Sequence, residues 1–288
     1  MDEFDEITSE IRDPDIPRGE FWTLMYDEEV LSRICSVRAA LNEACDTPER
    51  IALRGIMLGA LHGPLRVDGS SSYFSNQFPR TFASKPDYSV KYWKTHNLIH
   101  PPKVDVRNII KTRANRYYSG NLCPVKGFIT KGDSTERSTF EEIESRCHGA
   151  LFDTVITSPP YHGINTYIPD QWLRNWFVGG PSNVEYTKRG QTSGGLGTFI
   201  DQLKKVWVNC ERICSPGSNM FIRFGEIANK DYDPEDIIER TFDGTGWHID
   251  SINGAGEPKK GRRSSETFLK TDLNAYREID VHAKLYLK

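Results

Sequence analysis

The sequence predicts an α/β protein with a helical N-terminal region, and three observations carry that prediction. Residues Phe152 to Tyr161 form a short apolar run that stops on Ser158-Pro159-Pro160-Tyr161. Strand-like and helix-like patterns alternate over the chain's second half, and between Asp27 and Leu61 apolar positions recur at helical spacing. With 288 residues and 37% hydrophobic content, the chain can fill one large core or two modest ones.

Residues 1–20 are acidic and contain Pro14 and Pro17, which predicts a tail or a partner-binding arm. Residues 21–120 read as a helical and extended region. Within it Val30, Leu31, Ile34, Val37 and Leu41 place one helix over Asp27 to Ala44, and Thr47-Pro48 opens a second that runs to Leu61. Ser70 to Pro102, rich in aromatics, Ser and Pro, predicts an extended loop.

The α/β region is expected over 121–288. Val125 to Lys131 predicts a strand ending on Gly132-Asp133-Ser134, and 139–147 a Glu-rich helix. In the following strand Phe152, Val155 and Ile156 supply the apolar content, and two consecutive prolines forbid both its continuation and an immediate helix. The tip beyond Thr157 must therefore be a loop. Trp172 and Trp176, four apart, share a helix face and predict core or interface anchors. Leu196 to Ile213 predicts a helix with Phe199, Leu203, Val206, Trp207 and Cys210 on its apolar side, stopped by Ser215-Pro216-Gly217. A strand at Met220 to Phe224, a helix at Pro234 to Phe242, and two alternating strands at Trp247 to Asn253 and Ile279 to Leu287 complete the order.

Composition excludes several classes. Net charge is −3 and the sequence pI about 6.2, so there is no global basic field and any nucleic-acid contact must be local. Lys259, Lys260, Arg262 and Arg263, in a glycine-rich loop, are the first candidates for phosphate contact; Lys103 to Arg116, with Arg107, Lys111 and Arg113, are the second. Taken singly, each fits a solvated surface slightly better. Six cysteines make no disulfide framework in a chain of this size. Cys210 and Cys214 could share a helix face, but no Cys/His pair at ligand spacing matches them, so buried thiols and no metal site are expected. No apolar stretch approaches membrane-span length, and the acidic start is unlike a secretory signal; a cytoplasmic protein is expected.

In open α/β sheets ligands collect beyond the carboxyl ends of the strands, where Ser158 to Tyr161 would lie. The chemistry that suits this tip is attack by an exocyclic amino group on an electrophile. Such an amine is a poor nucleophile because its lone pair is delocalised into the ring. Two acceptors aimed at its N–H bonds favour the pyramidal nitrogen of the transition state and accept developing positive charge. Ser158 Oγ and the Pro159 carbonyl are the candidate pair, the carbonyl's direction being pre-set by proline's fixed φ. Tyr161 can stack on the flat face of a base.

Thr157-Ser158-Pro159-Pro160-Tyr161 resembles the hallmark of the amino-group methyltransferases of DNA, Asp/Asn/Ser-Pro-Pro-Tyr/Phe. The resemblance implies a Rossmann-like methyltransferase fold, S-adenosyl-L-methionine as methyl donor and double-stranded DNA as substrate, with the target base flipped from the duplex. The Ser form goes mostly with N4-cytosine and the Asp form mostly with N6-adenine, so N4-cytosine is favoured. The resemblance also implies that Asp133 accepts from the adenine amino group of the donor, that Ser134 lines the same pocket, and that Thr157 and Ser158 border it. An ordinary Gly-Asp turn is the alternative for Gly132-Asp133.

The family's glycine-rich loop, Phe-x-Gly-x-Gly-Thr, has no convincing counterpart. Gly59 to Gly63 ends a helical pattern, Gly194 to Gly197 precedes a helix, and Gly254-Ala255-Gly256 lies too late. The chain is therefore expected to begin after that loop, with an incomplete fold and a second methyltransferase subunit carrying the loop. A half sheet would expose an unpaired edge, an association hazard unless a partner covers it. A cognate restriction nuclease is left open as a further partner. The rival readings are adenine methylation, methylation of RNA amino groups or a glutamine amide, and a non-catalytic DNA-recognition or scaffold subunit.

Overall fold

The computed structural model describes residues 4–7, 14–63, 72–75, 85–120, 127–162, 171–184, 194–225, 232–255 and 278–286. In chain order its elements are α1 (Glu20–Met25), α2 (Glu28–Glu43), α3 (Pro48–Ala60), α4 (Pro86–Thr95), α5 (Val106–Tyr118), α6 (Arg137–Arg146) and β1 (Phe152–Thr157). There follow α7 (Trp172–Phe177), α8 (Leu196–Ile213), β2 (Cys214–Gly225), α9 (Pro234–Phe242), β3 (Trp247–Gly254) and β4 (Glu278–Leu285). They form two compact units: Met1–Pro124 with Thr166–Thr187, and Val125–Asn165 with Lys188–Lys288.

The first unit is helical. Its helices start where the capping residues dictate: the Asp27 carboxylate accepts from the amides of Glu29 and Val30, Thr47 Oγ1 from the amide of Arg50, and Asp105 from the amide of Asn108. Three expectations are corrected. Within Ser70 to Pro102, Pro86–Thr95 is a helix rather than loop, because Pro86 fits its first turn and Ser89 and Trp93 present one buried face. Of the expected acidic tail, Phe4 and Ile7 are buried in the unit's core and Asp5 accepts two bonds from Arg107. Finally, Thr166–Thr187 belongs to this unit and not to the α/β region. The reason is aromatic burial: Trp172 lies 5.0 Å from Phe21 and Trp176 4.6 Å from Trp22. Arg38 and Asn42 of α2 satisfy the carbonyls at the end of α7, donating to Trp176, Gly180 and Phe177.

His62, just beyond α3, is buried. Burial, with the nearby Arg174 guanidinium as a lesser cause, drives its pKa from 6.5 down to about 3. Between those values the unfolded chain binds a proton that the folded chain refuses. Stability is therefore expected to fall as pH drops from about 6.5 toward 3, by up to ~1.4 kcal/mol per pH unit. Urea unfolding across that range should show a slope that His62→Gln flattens; an unchanged slope would absolve His62.

The second unit is α/β. Its sheet has the order β1-β2-β4-β3; β1 and β2 are parallel, β4 is antiparallel to both β2 and β3. Alternation along β2 sends Met220, Ile222 and Phe224 into a core completed by Phe199, Leu203 and Trp207 of α8 and Ile238 and Phe242 of α9. Ile279, Val281, Ala283 and Leu285 of β4 face the same core. Trp207 is locked at both polar ends, its indole N–H donating to Thr241 Oγ1 at 2.9 Å and its carbonyl accepting from Trp247 Nε1 at 3.2 Å.

Three details differ from expectation. Ser215-Pro216-Gly217 lies inside β2, which begins directly after α8; the extra residues are absorbed as a bulge against β1, with Phe152 opposite Cys214 but Thr154 opposite Asn219. The Ser218 hydroxyl donates to the Phe152 carbonyl at 2.9 Å, and Gly217 takes a φ of 83° there. Because Cys214 opens β2, it shares no helix face with Cys210. Residues 127–131 are not a strand, since the described residues offer them no ladder; Ile129 is 90% exposed. Arg146 holds that segment instead, donating to the Ile129 carbonyl at 2.7 Å and lying 4.2 Å over the Phe128 ring.

Burial pushes the thiols of Cys35 and Cys210 up to about 12 and that of Cys214 to about 11. Among the described residues no cluster of His, Cys, Asp or Glu could hold a metal ion, and no helix is long and apolar enough to cross a membrane.

Candidate functional site

β1 delivers the proline tip at the end of the sheet. Ser158 is exposed, Pro159 buried, and Pro160 and Tyr161 half-buried. Thr157, the last residue of β1, pairs with Ile222 on the helix-covered side, whereas Ile156 pairs with Phe221 on the opposite face. The Tyr161 ring stands edge-to-face with Phe224 at 5.8 Å, and its hydroxyl donates to Glu278 Oε1 at 3.1 Å. Phe224 stacks on Phe199, Phe199 meets His162 at 5.3 Å, and His162 meets Tyr232 at 5.7 Å. The tip is thus walled by rings from the loop after β1, from β2, from α8 and from the approach to α9. Phe199 and Phe224 are buried and brace the tip from beneath, so Tyr161, His162 and Tyr232 are the rings that a planar heteroaromatic group beside Ser158 could meet.

Asp133 and Ser134 lie at the entrance to α6. The amide and the hydroxyl of Thr135 both donate to Asp133 Oδ1 at 2.8 Å and hold its carboxyl below the usual range. Its carbonyl accepts from the Glu136 amide and from Thr139 Oγ1. Gly132 is required here by a neighbour: a Cβ would fall 2.5 Å from Thr139 Oγ1. The segment is therefore a well-made turn, with an exposed carboxylate that stays ionised. Asn209 of α8 donates to the Ser134 carbonyl at 3.1 Å. Asn209 is ten residues along α8 from Phe199, so the turn and the aromatic tip are anchored roughly 15 Å apart along that helix.

The sheet face opposite the helices carries an open groove of about 750 Å³ that reaches Ser158 and is lined by Ile156, Phe221, Arg223, Asp280 and His282. Arg223 grips Asp280 with two bonds of 2.8 and 2.7 Å, which lowers the carboxyl's pKa and raises the guanidinium's. His282 stacks flat on Phe221 at 4.7 Å. Ile156 is 81% and Phe221 44% exposed, and among the described residues β1 has no strand on its second edge.

The structure thus gathers Thr157, Ser158, Pro159, Pro160 and Tyr161 at one tip and sets Asp133 and Ser134 at a separate turn. Lys259, Lys260, Arg262 and Arg263 lie outside the described residues. Of the second basic stretch, Arg107 is paired with Asp5, Lys103 with Glu29, and Arg113 donates twice to the Ser72 carbonyl beneath the Tyr73 ring. Their charges are engaged within the helical unit. Nothing in the sequence signals that His162, Phe199, Phe224, Tyr232 and Glu278 meet at the tip. Phe199 and Phe224 carried only a core signal, and nothing links Glu278 to Tyr161 across 117 residues.

No family model and no curated protein matches the chain. A solved structure described as "Conversion of a Disulfide Bond into a Thioacetal Group during Echinomycin Biosynthesis" is similar at 15% identity and a TM-score of 0.32, over 62% of this chain and 61% of that one. A likeness at that score carries no argument for fold or function.

Proposed function

We propose that this chain is the catalytic-motif subunit of a site-specific DNA methyltransferase. It would transfer a methyl group from S-adenosyl-L-methionine to an exocyclic amino group, with N4 of cytosine favoured, alongside a second chain that supplies the glycine-rich loop. The observation that carries this reading is Ser158-Pro159-Pro160-Tyr161 at the carboxyl end of a strand in an α/β sheet, its serine exposed and its tyrosine packed edge-to-face on Phe224. A parallel pair continuing into an antiparallel pair also fits the later half of a Rossmann-like methyltransferase sheet.

The donor supplies an electrophilic sulfonium methyl. The chain's own residues do the rest. Tyr161 stacks on the flipped base, while Ser158 Oγ and the Pro159 carbonyl accept from its amino N–H bonds and draw the nitrogen toward the pyramidal geometry of attack. The proton leaves afterwards to solvent. Positioning and electrostatics carry the rate. Asp133, exposed and with its carboxyl held below the usual range, would accept from the donor's adenine amino group.

Among the described residues one face and one edge of the sheet stay uncovered, which supports a second chain. Parallel strands are ordinarily covered on both faces, and here helices cover one while Ile156 and Phe221 stand out on the other. The test is transfer of radiolabelled methyl to DNA by this chain, by candidate partner chains, and by the mixture. Transfer by the mixture alone, yielding N4-methylcytosine, is expected. Transfer by this chain unaided would refute the division of labour, and label appearing only on RNA or protein would refute the substrate.

A further inference from the structure

We infer that Glu278 is a positioning residue, holding the Tyr161 ring in the plane that receives the target base. The inference rests on the proposed function and adds to it a residue from the far end of the chain. A tyrosine after two prolines in a loop has two side-chain torsions to settle, and a stacking platform is useful only if both are settled before the base arrives. Two contacts on this ring do so. Phe224 meets it edge-to-face at 5.8 Å, and Glu278 Oε1 accepts from its hydroxyl at 3.1 Å.

Glu278 is well placed to serve as the anchor. It is the first residue of β4, paired with Gly225 at the end of β2, and its carbonyl accepts from the Ala255 amide at 2.9 Å. It is only 9% exposed, so its carboxylate is fixed by the sheet and little competed for by water. Arg223, two residues before Gly225 on β2, grips Asp280 of β4 with two bonds and so fastens the strand pair beside Glu278. The phenol thus spans the end of β2, tied to β1 by its backbone and to β4 by its oxygen. Ring orientation at the tip is thereby referred to the rigid antiparallel half of the sheet.

The test is a double-mutant cycle on the reconstituted assembly, using Tyr161→Phe, which deletes one oxygen and keeps the ring, and Glu278→Ala. Two quantities are read: kcat/KM for methyl transfer, and the fluorescence of 2-aminopurine at the target position, which rises when the base leaves the stack. Each single variant is expected to lower kcat/KM about five-fold, the scale of one hydrogen bond, with a matching loss of fluorescence. The double variant should be no worse than either single one, and Glu278→Gln, which still offers an acceptor, should recover most of the loss. If the two losses multiply, or if Tyr161→Phe flips and methylates as well as the unaltered chain, the positioning role is wrong while the methyltransferase stands. If the unaltered assembly moves no methyl group to DNA, the proposed function itself has failed.

Discussion

Ser158→Ala is expected to lower methyl transfer at least about ten-fold, equivalent to ~1.4 kcal/mol or more of transition-state stabilisation. The side chain is exposed, so its removal should change stability by no more than about 0.5 kcal/mol and leave subunit assembly intact. What is lost is an acceptor needed most as the amino nitrogen becomes pyramidal and positive. The fall should therefore appear in kcat, with KM for DNA little altered. Tyr161→Ala should lose at least as much, but with KM rising too, because both the stacking surface and the packing on Phe224 disappear. Steady-state kinetics on the reconstituted assembly separates the two patterns. Wild-type rates from both variants would mean that the reacting centre lies elsewhere.

Ile156→Asp should strongly weaken assembly with the second chain while sparing the isolated chain. Ile156 is 81% exposed, so in isolation the change touches little beyond β-propensity, worth at most about 1 kcal/mol. Once a partner covers that edge and face, the new carboxylate is buried without a counter-ion. Such a group costs several kcal/mol, and the dissociation constant should rise about 100-fold or more. Sedimentation of the mixture reads the change directly, and far-UV circular dichroism of the variant alone confirms that it folds. An unaltered dissociation constant would move the interface away from β1.

The elements legible in the sequence were those specified locally. Thr47-Pro48 and Asp27 announce their helices because capping is settled within a few residues, and the two prolines after Ser158 end β1 for steric reasons alone. What escaped was specified by distant partners. Nothing near Pro86–Thr95 says that Trp93 will be buried against Phe21, 5.4 Å away, so a polar and aromatic stretch read as loop. Trp172 and Trp176 gave their helix but not the unit they join, because their partners Phe21 and Trp22 lie some 150 residues earlier. The apolar run before Gly132 made a convincing strand pattern, yet a strand also needs a ladder, and residues 127–131 have none among the described residues.

The same distinction holds at the tip. The proline-tyrosine motif was visible as sequence; the cluster of Phe199, Phe224, His162 and Tyr232 around it, and the hydrogen bond to Glu278, arise only when strand ends and helix starts converge. Gly132 illustrates how a motif residue can have a plainer cause, since the approach of Thr139 alone requires it.

The most direct measurement is the structure of the reconstituted assembly bound to duplex DNA and an unreactive analogue of the methyl donor. A flipped base is expected against Tyr161, its amino nitrogen about 3 Å from both Ser158 Oγ and the Pro159 carbonyl, with the donor's sulfur in line behind it. A donor sulfur remote from Ser158, or a base lodged away from Tyr161, would contradict it.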